Sequence, residues 1–326
     1  MNPIKRILWS ARDISFLFAG VTYDFWRYVI YSSSYFRHGA SKRSYRAVKA
    51  YHSIEKSLSF KNRTQGSGWN AARDLYYSIM RYKPKSEDLA FHEIVGISVV
   101  QKLLAATSPN TAQERQIASD LGQMSSNREL GGIVQDAEID LGKGVLPAPE
   151  DFFLSRYSVR EFLPKAVDQS TILRALKLAS KTPSVCNRES YFVYHIEDIL
   201  EKKKILDLQN GNRGFGEAIP TILIITVDLG AFISQIERNQ YWIDSGMYAM
   251  SLVYAFHSLG LGTCCLNWSQ SFLNDIRARK ALPISGNHSI TMLLAVGYPA
   301  HRLNACASLR SPVEEHIKHL EGQFSK

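Results

Sequence analysis

Strand-like and helix-like runs alternate from Gln169 to Val296, and that alternation restricts the possible folds more than any other feature of the chain. Helical spacing over Gln169–Lys181 leads to an extended run at Tyr191–Ile196, a helix at Asp198–Gln209 and a strand at Thr221–Val227. A long helix at Tyr241–Leu259, a strand at Thr263–Leu266, a helix near Phe272–Lys280 and a strand at Ile290–Val296 complete the series. Such an alternation predicts helices laid on a sheet. The helix at 241–259 is apolar on nearly every side, with Gly246, Ala249 and Ala255 permitting close approach, so it belongs in a core or a subunit interface.

The front of the chain obeys a different pattern. From Arg43 the residues Tyr45, Val48, Tyr51, Ile54 and Leu58 recur at steps of three and four, with Arg46, Lys49 and Lys56 off that stripe, which predicts an amphipathic helix. The cluster Tyr51, His52, Ile54, Glu55 and Lys56 is then one apolar face beside one charged face. Further helices are expected at 68–82 and 86–106, the latter capped by Ser86 with Glu87 and Asp88 in its first turn. Residues 1–36 are crowded with aromatics, among them Trp9, Phe16, Phe18, Trp26 and Tyr28, interspersed with Arg12, Asp24 and Arg27. The mixed charges favour packing on the rest of the protein or on a second subunit over the alternative, an amphipathic anchor lying on a membrane surface. Between 125 and 150, Gly131, Gly132, Gly142, Gly144, Pro147 and Pro149 interrupt short apolar runs and mark a linker. The expected division is a helical region over 1–124, a linker over 125–150 and an α+β domain over 151–326.

Charge follows the same division. Residues 1–85 hold 16 Lys and Arg against 4 Asp and Glu, whereas 86–326 hold 23 against 26, so the whole net charge of +9 arises at the front. A positive field there favours anionic partners such as phosphorylated substrates, acidic lipid headgroups or nucleic acid without choosing among them, and no specific nucleic-acid partner is expected. The four cysteines, Cys186, Cys264, Cys265 and Cys306, lack zinc-site spacing and outline no disulfide framework, which suits a reducing, cytoplasmic setting. No stretch approaches the roughly 20 apolar residues of a membrane span.

Four segments carry chemistry. In SRYSVREF, Arg156, Ser158 and Arg160 fall at every second position, so an extended backbone sets two guanidiniums and a hydroxyl on one side, a grouping that suits a phosphate. In TPSVCN, Asn187 stands just before a strand, where an amide can donate and accept at once. The third segment is the long helix running into GLGTCCLNW, and the fourth is AVGYPAHRLNACASLRSP, a buried strand that turns and reaches Arg310. Alone, SRYSVREF is better read as a solvated basic loop and the Asn of TPSVCN as a turn residue, and each of the four segments is weak.

Together and in this order, the four segments resemble the nitroreductase family over roughly 151–316. The resemblance implies a mixed α+β fold with a central mixed sheet, a homodimer formed through the long helix, and one FMN at each end of the subunit interface. Carried over by residue, Arg156 and Arg310 would bind the FMN phosphate, and Ser158, Arg160 and Asn187 would contact the ring or ribityl chain. Leu266 and Asn267, with Trp268, occupy the place from which the family directs a backbone N–H to the flavin N5. The implied activity moves hydride from NADH or NADPH through bound flavin to a small-molecule acceptor. The chain departs from the family pattern at Arg188, Glu189 and Ser190, where Gln-Pro-Trp is common, so a more charged pocket edge is expected. That edge motivates a second reading, a dehydrogenase or oxidase of a bound substrate; a third is a non-catalytic FMN-binding protein taken to a membrane or anionic partner by its basic front. Ser308 replaces a frequent basic residue, and Arg302 is placed to compensate.

Three weaker signals are set aside. Gly211, Gly214 and Gly216 follow a helix and precede a strand, the reverse of a dinucleotide fingerprint, and read as a flexible loop. Cys264 and Cys265 are adjacent in a strand and so face opposite ways. His257, within an apolar helix, reads as a hydrogen-bonded core residue.

Overall fold

The computed structural model describes residues 3–33, 40–64, 66–82, 89–124, 130–135 and 138–318. The front is helical: α1 (Pro3–Tyr31), α2 (Ala40–Ser59), α3 (Trp69–Tyr82), α4 (Phe91–Ala106) and α5 (Ala112–Gln123). The stripe expected on α2 is the one it buries, Val48, Tyr51 and Ile54 meeting Leu75, Val99 and Leu103 from α3 and α4. The expected cap at Ser86 lies outside the described residues, and α4 begins instead at Phe91, where the Glu93 carboxylate accepts from the Ala90 N–H at 2.8 Å. Helix α5 was not anticipated, although Thr111 and Glu114 cap each other reciprocally at its start.

Part of the expected linker packs on this helical region. Gly132 N–H donates to Glu55 of α2 at 2.8 Å, and Lys102 of α4 donates to the Gly131 carbonyl. Gly131 has a φ of +64°, and a Cβ there would stand 2.8 Å from a Val99 methyl, so glycine is required on both counts.

After α6 (Pro149–Leu154) and α7 (Gln169–Ala179) comes the sheet domain, with β1 (Tyr191–Ile196), α8 (Ile199–Leu206), β2 (Thr221–Asp228), α9 (Gln240–Ser258), β3 (Gly262–Asn267), α10 (Phe272–Ala281) and β4 (His288–Gly297). The strands are ordered β1-β2-β4-β3 and every neighbouring pair is antiparallel. Helices α8 and α10 each hand the chain to an adjacent strand that starts at the rim where the last one ended. The mixed sheet implied by the resemblance is therefore met only where Ser158 makes an isolated parallel bridge to Thr263.

Both faces of the sheet are covered, which explains why every position of β2 is buried. Ile222 and Ile224 face the cluster that includes Ile205 and Ala278, while Leu223 and Ile225 face Leu252, Val253 and Phe256 of α9. Only one side of α9 is buried this way. Trp242, Ile243, Met247 and Met250 remain exposed on its outer side, at 37–53% of their full area.

Helix α1 docks on this domain through one side. The Tyr28 hydroxyl donates to the Ser234 carbonyl at 2.7 Å, its ring stacks near Tyr241, and Arg27 donates to the His288 carbonyl at 3.1 Å, capping the start of β4. Tyr28 and Tyr45 share a cluster with Val227, Leu229, Phe232 and Tyr241, so the front and the sheet domain meet in apolar contact. Ile14, Leu17, Phe18, Val21 and Phe25 stay exposed on the far side of α1. Among the described residues no helix is long and apolar enough to cross a membrane.

Candidate active site at the free edge of the sheet

Strand β3 is an edge strand, and the segment holding Arg156, Ser158 and Arg160 runs beside its start. His257 of α9 helps deliver that segment: its Nε2 lies 2.9 Å from the Phe152 carbonyl and 3.0 Å from the Ser155 hydroxyl, at the end of α6. His257 is hydrogen-bonded as expected, but it lies half-buried at the domain surface, not in the core. Val159 N–H then donates to the Thr263 carbonyl at 2.9 Å. The approach is close because Gly262 has no side chain; a Cβ there would stand 2.7 Å from Val159.

The outward positions of β3 are Cys265 and Asn267, while Cys264 and Leu266 turn into the core, as alternation requires. Arg160 is exposed beside this strand, with Nη1 3.6 Å from the Cys306 sulfur of the C-terminal tail. Burial pushes the Cys264 thiol up and nearby Arg160 only partly offsets it, which leaves the thiol protonated and unreactive at neutral pH. Leu303 packs on the sheet's core cluster, so the tail is fixed on this side before it reaches Arg310, exposed and donating to the Ser308 carbonyl. Arg156, Ser158, Arg160 and the tail are thereby gathered along one edge.

Asn267 is held from behind. Its carbonyl accepts from the Gln209 amide at 3.0 Å, and Asn212 donates to the Leu206 and Gln209 carbonyls at 2.7 and 3.0 Å. The Gly211–Gly216 turn, expected to be flexible, is therefore a pinned brace for the end of β3. No sequence feature pointed to Gln209.

Asn187 is placed elsewhere. It has a φ of +54°, is exposed, and leads into β1, on the opposite edge of the sheet from β3. Three strand spacings of roughly 4.8 Å separate the two edges. The more charged pocket edge expected from Arg188 is not observed. Arg188 is wholly buried, bonded to Glu237 at 3.0 Å through both terminal nitrogens and to the Ala231 carbonyl at 2.6 Å, so it is a core ion pair that anchors the loop. Glu189, the other charged residue of this segment, stays exposed beside Asn187.

At the rim where β3 ends lies a cavity of about 360 Å³, walled by α1, the start of α9, α10 and the start of β4. Asn267 and Trp268 form its border with the β3 edge. Asp275 accepts from Tyr23 at 2.6 Å, Trp268 at 3.1 Å and Arg279 at 2.7 Å, so this wall is internally bonded. Burial raises the Asp24 carboxyl there, as does the neighbouring Asp275 charge.

The nitroreductase family model matches residues 154–212 and 200–298. None of the curated proteins matches the chain. Similar solved structures include an FMN-dependent nitroreductase from Clostridium difficile R20291, at 19% identity over 48% of this chain and 91% of that one, with a TM-score of 0.42. A protein described as a nitroreductase in complex with FMN, from Desulfovibrio desulfuricans, is 20% identical over 56% of this chain and 99% of its own, with a TM-score of 0.46. A nitroreductase family protein from Streptococcus pneumoniae TIGR4 is 19% identical over 52% and 98%, with a TM-score of 0.43.

Proposed function

Residues 154–298 belong to the nitroreductase family, and from that premise we propose that the protein is an FMN-dependent oxidoreductase that takes hydride from NADH or NADPH and passes electrons to a small-molecule acceptor. The observation that carries this reading is the gathering of Arg156, Ser158 and Arg160 beside the start of an edge strand whose end, Asn267, is braced from behind. Two guanidiniums and a hydroxyl beside an edge strand suit a phosphate. FMN, when bound, supplies the two-electron chemistry that the side chains themselves lack. Arg156 and Arg310 would hold the phosphate, and Arg160 would offer a cation to stabilise negative charge on the reduced ring. Gln209, donating to the Asn267 carbonyl, would keep the end of β3 in place.

Asn187 lies too far from β3 in one chain to join this group. A second copy brought against the exposed side of α9 would supply Asn187 of the partner subunit, so the reading includes a homodimer with sites at the interface.

An anaerobic absorbance titration tests the proposal. Prompt bleaching of the flavin bands on addition of NADH or NADPH is expected. Protein that carries no yellow chromophore, and acquires none when FMN is added, overturns it.

A further inference from the structure

Packing on the sheet domain accounts for only one side of α1. Among the described residues, the hydrogen bonds that tie the helix to that domain begin at Tyr23, which donates to Asp275, and continue one turn on with Arg27 and Tyr28. Ahead of them every position of the two turns 12–18 is exposed, although the Phe16 ring tilts against Phe272 at 6.3 Å. On the outer side Ile14, Leu17, Phe18, Val21 and Phe25 fall at the i, i+3, i+4, i+7 and i+11 positions, so they form one continuous stripe, each exposed at 57–73% of its full area. Trp26 borders the stripe, its ring edge-on to Phe25 at 5.5 Å. The one hydroxyl beside these residues in the exposed turns, that of Ser15, donates to the Arg12 carbonyl at 2.7 Å and so needs no water.

A contiguous apolar stripe of this kind marks a surface that something covers. A single helix presents a convex ridge without a pocket, and this ridge offers no hydrogen-bonding side chain with which to select one protein partner; a lipid layer moulds to such a shape. The surrounding charge points the same way. Residues 1–85 carry 16 Lys and Arg against 4 Asp and Glu. Three of those four carboxyls are compromised as anions: Asp13 pairs with Arg12 at 3.8 Å, Glu55 accepts from the Gly132 N–H, and burial raises the Asp24 carboxyl. An apolar helix face within a basic field is the combination that holds a helix in the plane of an anionic bilayer surface. Since α1 is not long and apolar enough to cross a membrane, it would lie along one.

We propose that the outer stripe of α1 docks the protein on an anionic lipid surface, with Ile14, Leu17, Phe18, Val21 and Phe25 set into the boundary between headgroups and acyl chains. The inner side of the helix keeps its bonds to α10 and the start of β4, so docking fixes how the sheet domain faces the membrane. The stripe lies outside the family-matched residues, and the proposal stands whether or not the flavin reading does.

The test is co-sedimentation of the full-length protein, as purified, with vesicles of phosphatidylcholine alone and of phosphatidylcholine containing about one third phosphatidylglycerol. Binding to the anionic vesicles is expected, about tenfold tighter than to the neutral ones and weakened by salt. Leu17→Glu with Phe18→Glu, at two exposed positions, should leave the thermal midpoint unchanged and weaken that binding by about tenfold or more. Absence of wild-type binding to the anionic vesicles overturns the proposal. Equal binding by the double variant also overturns it, because basic charge alone would then carry the attraction. The competing occupant, a second copy of the chain, is read by light scattering without lipid: an unchanged mass in the double variant supports the lipid surface, and a fall from twice the chain mass to single mass overturns it. Should the double variant fail to fold, Phe18→Ser alone serves the same comparisons.

Discussion

Arg188 has no exposed side-chain surface, and its charge is stable there because Glu237 and the carbonyls of Val185 and Ala231 surround it. Replacing it with methionine would strand the Glu237 carboxylate, at a cost of about 3 kcal/mol. Thermal denaturation should show the loss, and the double variant Arg188→Met, Glu237→Met should recover most of it. Burial pushes the Glu237 carboxyl up, but hydrogen bonds from Arg188 and the Ile233 N–H more than reverse this and leave it below its ordinary value of 4.5. A carboxyl depressed in the folded state contributes stability above its unfolded pKa and loses it as pH falls through the folded value. The fall of Tm below about pH 4.5 should therefore be steeper in the wild type than in Arg188→Met. At the β3 edge, Arg156→Ala removes a charge-assisted bond worth about 1.5–3 kcal/mol, so the FMN dissociation constant should rise roughly 10- to 100-fold, read by recovery of free-flavin fluorescence. An unchanged constant would remove Arg156 from the phosphate site.

Helix α9 divides its apolar surface between two tasks. Its inner side closes the sheet core, and its outer side leaves Trp242, Ile243, Met247 and Met250 exposed in one stripe. A stripe of that kind is stable when a second apolar surface covers it. Ile243→Glu together with Met247→Glu should convert a species of twice the chain mass into one of single mass by light scattering, and should release flavin at the same time if the sites span the interface. Strand β3 offers a separate test. Gly262→Ala forces a methyl into Val159, so the 158–160 segment must move away, at a cost of about 1–3 kcal/mol. Weaker FMN binding with all the arginines intact would show that the segment's seating matters, not only its charge.

The whole molecule is built around several apolar clusters that share walls. The helical front has its own core around Ile54, Leu75 and Val99, yet Tyr28 and Tyr45 complete a cluster whose other members come from the end of β2, the loop after it and α9. Ser33 adds main-chain and hydroxyl bonds to the Phe232 and Gly230 carbonyls. Because those contacts are buried and apolar, the front and the sheet domain should unfold in one calorimetric transition. Two resolved transitions would show that the junction contributes little.

The strands and helices from Gln169 onward were legible because covered strands and amphipathic helices leave periodic marks, and these depend only on neighbours within a few residues. Helix α2 was legible for the same reason. The reciprocal cap of Thr111 and Glu114 is an equally local signal for α5, whereas α4 starts at Phe91, five residues after Ser86, because Glu93 caps it from inside. The grouping of Arg156, Ser158 and Arg160 could be read from alternation in an extended segment. Its placement against β3 could not, since it depends on a bridge to Thr263 and on the space left by Gly262. The fate of Arg188 was likewise tertiary: burial opposite Glu237 is a contact across 49 residues, and it turned an expected pocket charge into a core pair. Gln209 leaves no periodic trace at all. Local spacing determined what elements this chain forms, and only the packing of distant segments decided which side chains face the β3 edge, which face the cavity under α1, and which are lost to the core.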